Sequence, residues 1–331
     1  MAAGDSHSCA IVEQGRVVCW GDNADGQLGD GSFLGSTTPV PVSNLDGVVE
    51  LALGGKHSCA LRTDGSVWCW GDATFRQIGQ FTDSGVPVAV TGVTNAGGIA
   101  AGANHNCAFL NGGTAMCWGA GAAGQLGHGL NPSSLQPVMV DSLSSVSGVA
   151  AGADYSCGLD VNFAVYCWGS AGTVSSGNTP SVINFLGSPG PPLAGTDLAT
   201  TDAFACALRV DKPWCWGEGY QSAAGEVNLP NVIALEDSSG HVCALVQGGA
   251  VYCWGANDAG QIGNGLAGGS VASPTEVSAL PGPASSLGPG SHHTCAVVQG
   301  SVACWGDNSA GQLGNGSLQP STTPVPVSFI P

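Results

Sequence analysis

Short apolar runs alternate with glycine-bearing polar turns from one end of the chain to the other. The run HSCAI at 7–11 is followed by VEQGR and then by VVCWG at 17–21, which predicts two strands joined by a tight hairpin. Nearly the same phrase recurs down the chain. Ahead of the hairpin stands a stretch of small residues ending in glycine, such as VVELALGG, GGIAAGA or SGVAAGA, which predicts a further strand. After CWG comes a polar turn, written GDNADGQLGDGS, GAGAAGQLGHG, GANDAGQIGNG or GDNSAGQLGNG. A proline-valine segment closes the unit, and STTPVPVS occurs letter for letter at 36–43 and 321–328. Short strands with regular turn signals and a period near 50 residues predict propeller blades of four strands.

The first cysteines of successive units lie 50, 48, 50, 49, 37 and 52 residues apart. The units read as 1–46, 47–94, 95–144, 145–193, 194–231, 232–283 and 284–331. A chain of 331 residues exceeds what one compact core usually holds, but repeats that pack only on their neighbours escape that limit. MAAGDSHSC aligns with LALGGKHSC, so the chain enters its first unit part-way. The expected fold is therefore all-β, a seven-bladed β-propeller of about four antiparallel strands per blade. Its ring is expected to close by the N-terminal and C-terminal segments sharing a blade, the tail PVPVSFIP supplying the missing part. Closure removes the sheet edges that an open array would expose.

The cysteines sharpen this picture. All 14 fall in close pairs: Cys9 with Cys19, Cys59 with Cys69, Cys107 with Cys117, Cys157 with Cys167, Cys206 with Cys215, Cys243 with Cys253 and Cys295 with Cys304. Five pairs have nine residues between them, and two have eight. A three-residue loop Glu13-Gln14-Gly15 makes Cys9 face Cys19; the two-residue loop Gln299-Gly300 makes Cys295 face Cys304. Loop and spacing shorten together. If the loop-closing pair is hydrogen-bonded, the cysteines occupy a non-hydrogen-bonded pair, whose Cα separation of about 4.5 Å suits a disulfide. Pro213 then falls opposite Leu208, where its missing N–H does no harm. Among the three-residue loops only Val161-Asn162-Phe163 lacks the expected glycine. Seven intra-hairpin disulfides are expected, against alternatives of reduced core thiols and of a metal site. Disulfides imply an oxidising compartment: extracellular, cell surface or periplasmic.

Charge narrows the partners. Six Lys and Arg stand against 23 Asp and Glu, a net charge of −17. Such an acidic chain is expected to bind no nucleic acid, which requires clustered cations. No apolar run approaches a membrane span, so no membrane insertion is expected. Met1 leads straight into AAGDSHSC without an apolar leader, which reads as a trimmed or mature chain.

The phrase AG-x-x-HS-x-AL followed by DG-x-V-x-x-WG-x-N-x-x-GQLG-x-G resembles the regulator of chromosome condensation repeats. Matching text stands at 4–31, 54–79, 102–129, 240–265 and 290–316, and more weakly around Cys157 and Cys206. The resemblance implies a seven-bladed β-propeller. Its relatives include a nucleotide-exchange factor that binds chromatin, a plant ultraviolet-B photoreceptor and a secreted bacterial β-lactamase inhibitor. The secreted bacterial members match this chain best in style. No exchange residue maps onto it, and the photoreceptor's Gly-Trp-Arg-His-Thr motif is absent.

Candidate chemistry is sparse. The tryptophans of CWG (Trp20, Trp70, Trp118, Trp168, Trp216, Trp254 and Trp305) read as blade packing. Two residues before each first cysteine stand His7, His57, His105, Tyr155, Phe204, His241 and His293, on the cysteine's face of the strand. They read as structural hydrogen-bonding residues, with copper or zinc as the alternative. Asp22, Asn23, Asp25 and Asp30 share a turn without the EF-hand order, so a solvated turn is preferred to calcium. There is no nucleophile elbow, HExxH or P-loop. No catalytic residue, metal or cofactor is assigned.

The expected function is a non-catalytic secreted or surface-exposed module, monomeric, that recognises a protein partner through loops on one face. The alternatives are a lectin-like glycan binder and an unrecognised enzyme or metal-binding propeller. The candidate binding residues are Phe75, Arg76, Phe185 and Tyr220, which stand in loops that depart from the repeat, because exposed aromatics and arginine are the usual interface anchors.

Overall fold

The computed structural model describes residues 1–170, 176–183, 197–218 and 225–328. Seven sheets form, each of four antiparallel strands in chain order. Blade 1 comprises Ala2–Ala3, His7–Ile11, Val17–Gly21 and Ser36–Pro41. Blades 2, 3 and 4 begin at Val48–Leu53, Ala96–Ala101 and Val146–Ala151. Blades 5, 6 and 7 begin at Leu198–Thr200, Val232–Asp237 and Ala284–Pro289. Among the described residues the one helical element is the 3-10 turn Glu13–Gly15.

Hairpin register follows the cysteine spacing. Across the three-residue loops Cys9 faces Cys19, Cys59 faces Cys69, Cys107 faces Cys117, Cys157 faces Cys167 and Cys243 faces Cys253. Across the two-residue loops Cys206 faces Cys215 and Cys295 faces Cys304. In each pair the Cα atoms lie 4.0–4.1 Å apart and the sulfurs are joined. The separation is somewhat shorter than the 4.5 Å or so expected of a non-hydrogen-bonded pair, because the covalent link draws the two strands together. No free cysteine is present among the described residues. Pro213 pairs Leu208 as expected. In the three-residue loop without glycine, Phe163 itself takes the left-handed conformation (φ 66°). The Asp160 carboxylate holds that turn by accepting the backbone N–H groups of Asn162 and Ala164.

Among the described residues the ring does not close by strand sharing. The inner strand of blade 1 is Ala2–Ala3 alone, pairing Cys9 and Ser8. The C-terminal strand Ser321–Pro326 pairs the third strand of its own blade, Ser301–Gly306. The reason lies in the duplicated text. STTPVP forms the outer strand in blade 1 and again in blade 7, where a proline-bearing strand belongs because its outer edge needs no partner. Blades 7 and 1 instead pack side by side, through Ala10, Trp20, Cys295, Cys304, Leu313 and Val327.

Each boundary between blades is a separate core. The tryptophans of CWG are fully buried. Trp70 lies in the core that also holds Leu28, Val42 and Leu45 of blade 1, and Trp118 in the core that holds Ile78, Val90 and Val93 of blade 2. No helix among the described residues is long and apolar enough to cross a membrane.

Candidate functional site

In four consecutive antiparallel strands, the turn between the first and second and the loop between the third and fourth open at the same end. This end is termed the loop face. One backbone bond per blade ties the start of the loop to the turn. Asp22 donates to the Ser6 carbonyl, Asp72 to Lys56, Ala120 to Asn104, Ser170 to Asp154, Glu218 to Ala203, Ala256 to Gly240 and Asp307 to His292.

The repeated GQLG text crosses to the neighbouring blade. The Gln27 carbonyl accepts Trp70 Nε1–H (2.8 Å) and Ser58 Oγ–H (2.9 Å) from blade 2. Gln77 does the same for Trp118 and Asn106, and Gln125 for Trp168 and Ser156. Gln261 holds Trp305 and Thr294, and Gln312 holds Trp20 and Ser8.

The histidines complete these links. Ser58 spends its single hydrogen on Gln27, so His7 Nε2–H donates to Ser58 Oγ at 2.9 Å. His57 donates to Asn106 Oδ1 at 2.8 Å, His105 to Ser156, His241 to Thr294, and His293 to Ser8. All five rings are fully buried, and burial drives them neutral: His7, His105 and His241 are pushed down to about 3 and His293 to about 4. The rings pack on glycine. A Cβ at Gly54 would collide with His57 Cε1. These histidines are therefore spent on joining blades, and the neighbouring cysteines are disulfide sulfurs rather than thiolates. The acidic turn residues are likewise engaged. Asp22 accepts Gln27 Nε2–H, Asp30 accepts Ser32, and Asp25 pairs with Lys56 at 3.3 Å.

The inner strands enclose a lumen of about 570 Å³, lined by small residues, aliphatic side chains and four carboxylates. Into it project Glu50, Asp197, Glu236 and Asp237, drawn from blades 2, 5 and 6. Burial raises Glu50 to about 7, and the Ile99 N–H bond offsets part of that rise. Burial raises Asp237 to about 7. Glu236 is pushed to about 8 by burial and then by Asp237 and Asp197, although its access to the lumen lets water offset part of the shift. Asp202, at the mouth on the loop face, rises to about 6 through burial and then through Asp5 and Asp154. This cluster was not visible in the sequence, because its members come from different repeats.

Of the sequence-predicted binding residues, Phe75 and Arg76 are exposed on the third-to-fourth-strand loop of blade 2. Phe185 and Tyr220 lie outside the described residues. The Arg76 guanidinium lies 5.6 Å from the Phe81 ring centroid, and Phe81 is 71% exposed. Corresponding loops present Phe33, Leu34, Leu130, Leu266 and Leu318, all exposed. Sequence reasoning missed these, although most follow a G-x-G step at the end of each polar turn.

By class the molecule is a seven-bladed β-propeller of four-stranded blades, each stapled by a disulfide. More particularly, the chain belongs to the Regulator of chromosome condensation (RCC1) repeat family. That repeat matches residues 64–109, 113–159, 248–297 and 299–331, and a second form of it matches 1–27, 48–77 and 98–125. The human E3 ubiquitin-protein ligase HERC2 is 31% identical over 141 residues, covering 38% of this chain and 3% of that protein. Protein pim1 of Schizosaccharomyces pombe is 32% identical over 139 residues, covering 35% of this chain and 26% of that protein. The chain thus spans a small part of these relatives. Yeast RCC1 (Prp20), solved with Kap60 bound to it, superposes with a TM-score of 0.81 at 20% identity, over 99% of this chain and 85% of that one. That likeness concerns the fold.

Proposed function

We propose that the protein is a non-catalytic binding module, secreted or displayed at a cell surface, that recognises a protein partner through its loop face. The observation that carries this reading is the set of large apolar side chains exposed at the loop tips, led by Leu34 (77%) and Phe81 (71%). Exposed apolar patches on a stable scaffold mark interaction sites. The repeat-matching parts of the same loops are occupied with joining blades, which leaves the tips free for recognition. The seven buried disulfides support an oxidising compartment. The structure of a yeast relative with Kap60 bound supports a protein as the partner class.

A lectin-like reading has one observation in its favour. The strand position before the second cysteine carries Trp68, Tyr166, Trp214 and Tyr252, all half-buried. Stacked aromatics of this kind suit pyranose rings. However, the guanidiniums of Arg62 and Arg209 lie 5.9 and 4.8 Å from the Trp68 and Trp214 ring centroids, on faces a sugar would use. A glycan array run beside a pulldown from a mixture of extracellular proteins tests the choice. Saturable capture of a protein, lost when Phe81 and Leu34 become Ser, supports the module reading. Signal on the array alone overturns it.

A further inference from the structure

We infer that blades 1–3 carry a docking strip for an extended protein segment in which an Asp or Glu carboxylate is flanked by large apolar side chains. This rests on the protein-binding reading above and narrows its partner. The strip is continuous across blade boundaries. Phe33 and Leu34 end the loop of blade 1. Phe33 reaches the outer strand of blade 2, where a Cβ at Gly85 would lie 3.4 Å from Phe33 Cε2. The Gly31 N–H bond to the Gly85 carbonyl fixes that approach. Phe81 precedes the same outer strand, and the Arg76 guanidinium covers its ring. Arg76 Nη1 then reaches the Ser133 carbonyl of blade 3, in the loop that exposes Leu130.

Arg76 occupies a position the scaffold reserves for glycine. Gly26, Gly124, Gly260 and Gly311 hold the matching place in other loops, with φ of 85–87°, and Arg76 adopts φ 70° there. A non-glycine residue in this region is strained, and strain retained in an exposed loop points from the outlier to a use. The side chain's contacts with the scaffold are the Phe81 ring and one exposed hydrogen bond to the Ser133 carbonyl. Like Arg16 and Arg209, it forms no ion pair among the described residues, whereas Lys56, Arg62 and Lys212 pair with carboxylates. In a chain of net charge −17, a guanidinium held over an exposed ring, with only Nη1 engaged, presents its other N–H donors to an incoming carboxylate. One cation amid so many carboxylates does not suit a phosphate backbone. Hence charge complementarity selects a carboxylate, and the flanking rings and leucines select its apolar neighbours.

The test is a random-peptide display selection on the full oxidised chain, followed by fluorescence anisotropy with the leading peptide. Enriched sequences should place Asp or Glu beside aromatic or large aliphatic residues. Affinity should fall about tenfold or more for Arg76→Gly and for Phe81→Ser, and similarly when the peptide's acid becomes its amide. Arg76→Gly restores the residue found in the sister loops, so the variant keeps its fold, and a thermal unfolding midpoint no lower than that of the parent verifies this. Enrichment of basic or acid-free peptides, no enrichment at all, or binding indifferent to Arg76→Gly overturns the strip. Peptides that map to other loops overturn the strip alone. No peptide enrichment together with a glycan-array signal overturns the protein-binding reading as well.

Discussion

Phe204 of blade 5 and Val242 of blade 6 pack in one apolar core, at the place where five other blade boundaries set a histidine against a hydrogen-bonding side chain. The substitutions are matched. Histidine stands opposite Ser58, Asn106, Ser156, Thr294 and Ser8, whereas Tyr155 stands in the core with Ala205 and Phe204 with Val242. At this strand position histidine is kept only where the next blade supplies its acceptor, because an orphaned buried polar group costs about 1–3 kcal/mol.

The matched pattern predicts non-additivity. His57→Phe and Asn106→Val should each destabilise the chain, since each orphans the other's hydrogen bond. The double variant imitates the Phe204–Val242 boundary and should cost less than the sum by about 1 kcal/mol or more. A double-mutant cycle by denaturant unfolding measures this coupling.

The disulfides should resist native-state chemistry. Every cysteine is at most 1% exposed, so reductant and alkylating agent at neutral pH should label none until the chain unfolds. Replacing both Cys59 and Cys69 by Ala removes a loop of sequence separation 10. That change should lower stability by about 3 kcal/mol on the chain-entropy estimate. Mass spectrometry after pulsed alkylation checks the first expectation and calorimetry the second.

Val210 sits at φ 63° in its two-residue loop and is 61% exposed. A β-branched residue in the left-handed region is strained, and here little packing is lost on replacing it. Val210→Asn should therefore raise stability by about 1 kcal/mol, read as an increased midpoint of denaturant unfolding.

Two opposed pH effects follow from the buried groups. His7, His105 and His241 hold folded values of about 3. The unfolded chain binds their protons below about 6.5, so stability should fall as pH drops through that window toward 3. Glu50 is raised to about 7 when folded. The unfolded chain releases its proton from about 4.3, so stability should also fall as pH rises from there toward 7. Glu50→Gln keeps an acceptor for Ile99 N–H and removes Glu50's share of the second slope, leaving that of Glu236, Asp237 and Asp202. Unfolding free energies of the two proteins should coincide near pH 4 and diverge in favour of the Gln variant by pH 8.

Hairpin register was legible because cysteine spacing and loop length shorten together, as the pairing of Cys206 with Cys215 across the loop Val210-Asp211 makes plain. The matched His and hydroxyl positions were also present in this single sequence, as the row His, His, His, Tyr, Phe, His, His set against the residues that follow it. Ring closure was misjudged, because a two-residue inner strand looks like a truncated unit and because the tail's resemblance to residues 36–43 was not used to assign its role. The lumen carboxylates could not be foreseen. Glu50, Asp197 and Glu236 lie far apart along the chain, and only curvature of the array brings them together. Phe81 was passed over because its ring gains significance only beneath Arg76.

The seam between blades 7 and 1 has one further consequence. It is fastened by His293–Ser8 and Trp20–Gln312, the same fittings as at the interior joints, and no strand is exchanged across it among the described residues. Mechanical or thermal opening meets comparable resistance at this seam and at each joint fastened the same way, while every separated blade remains covalently intact.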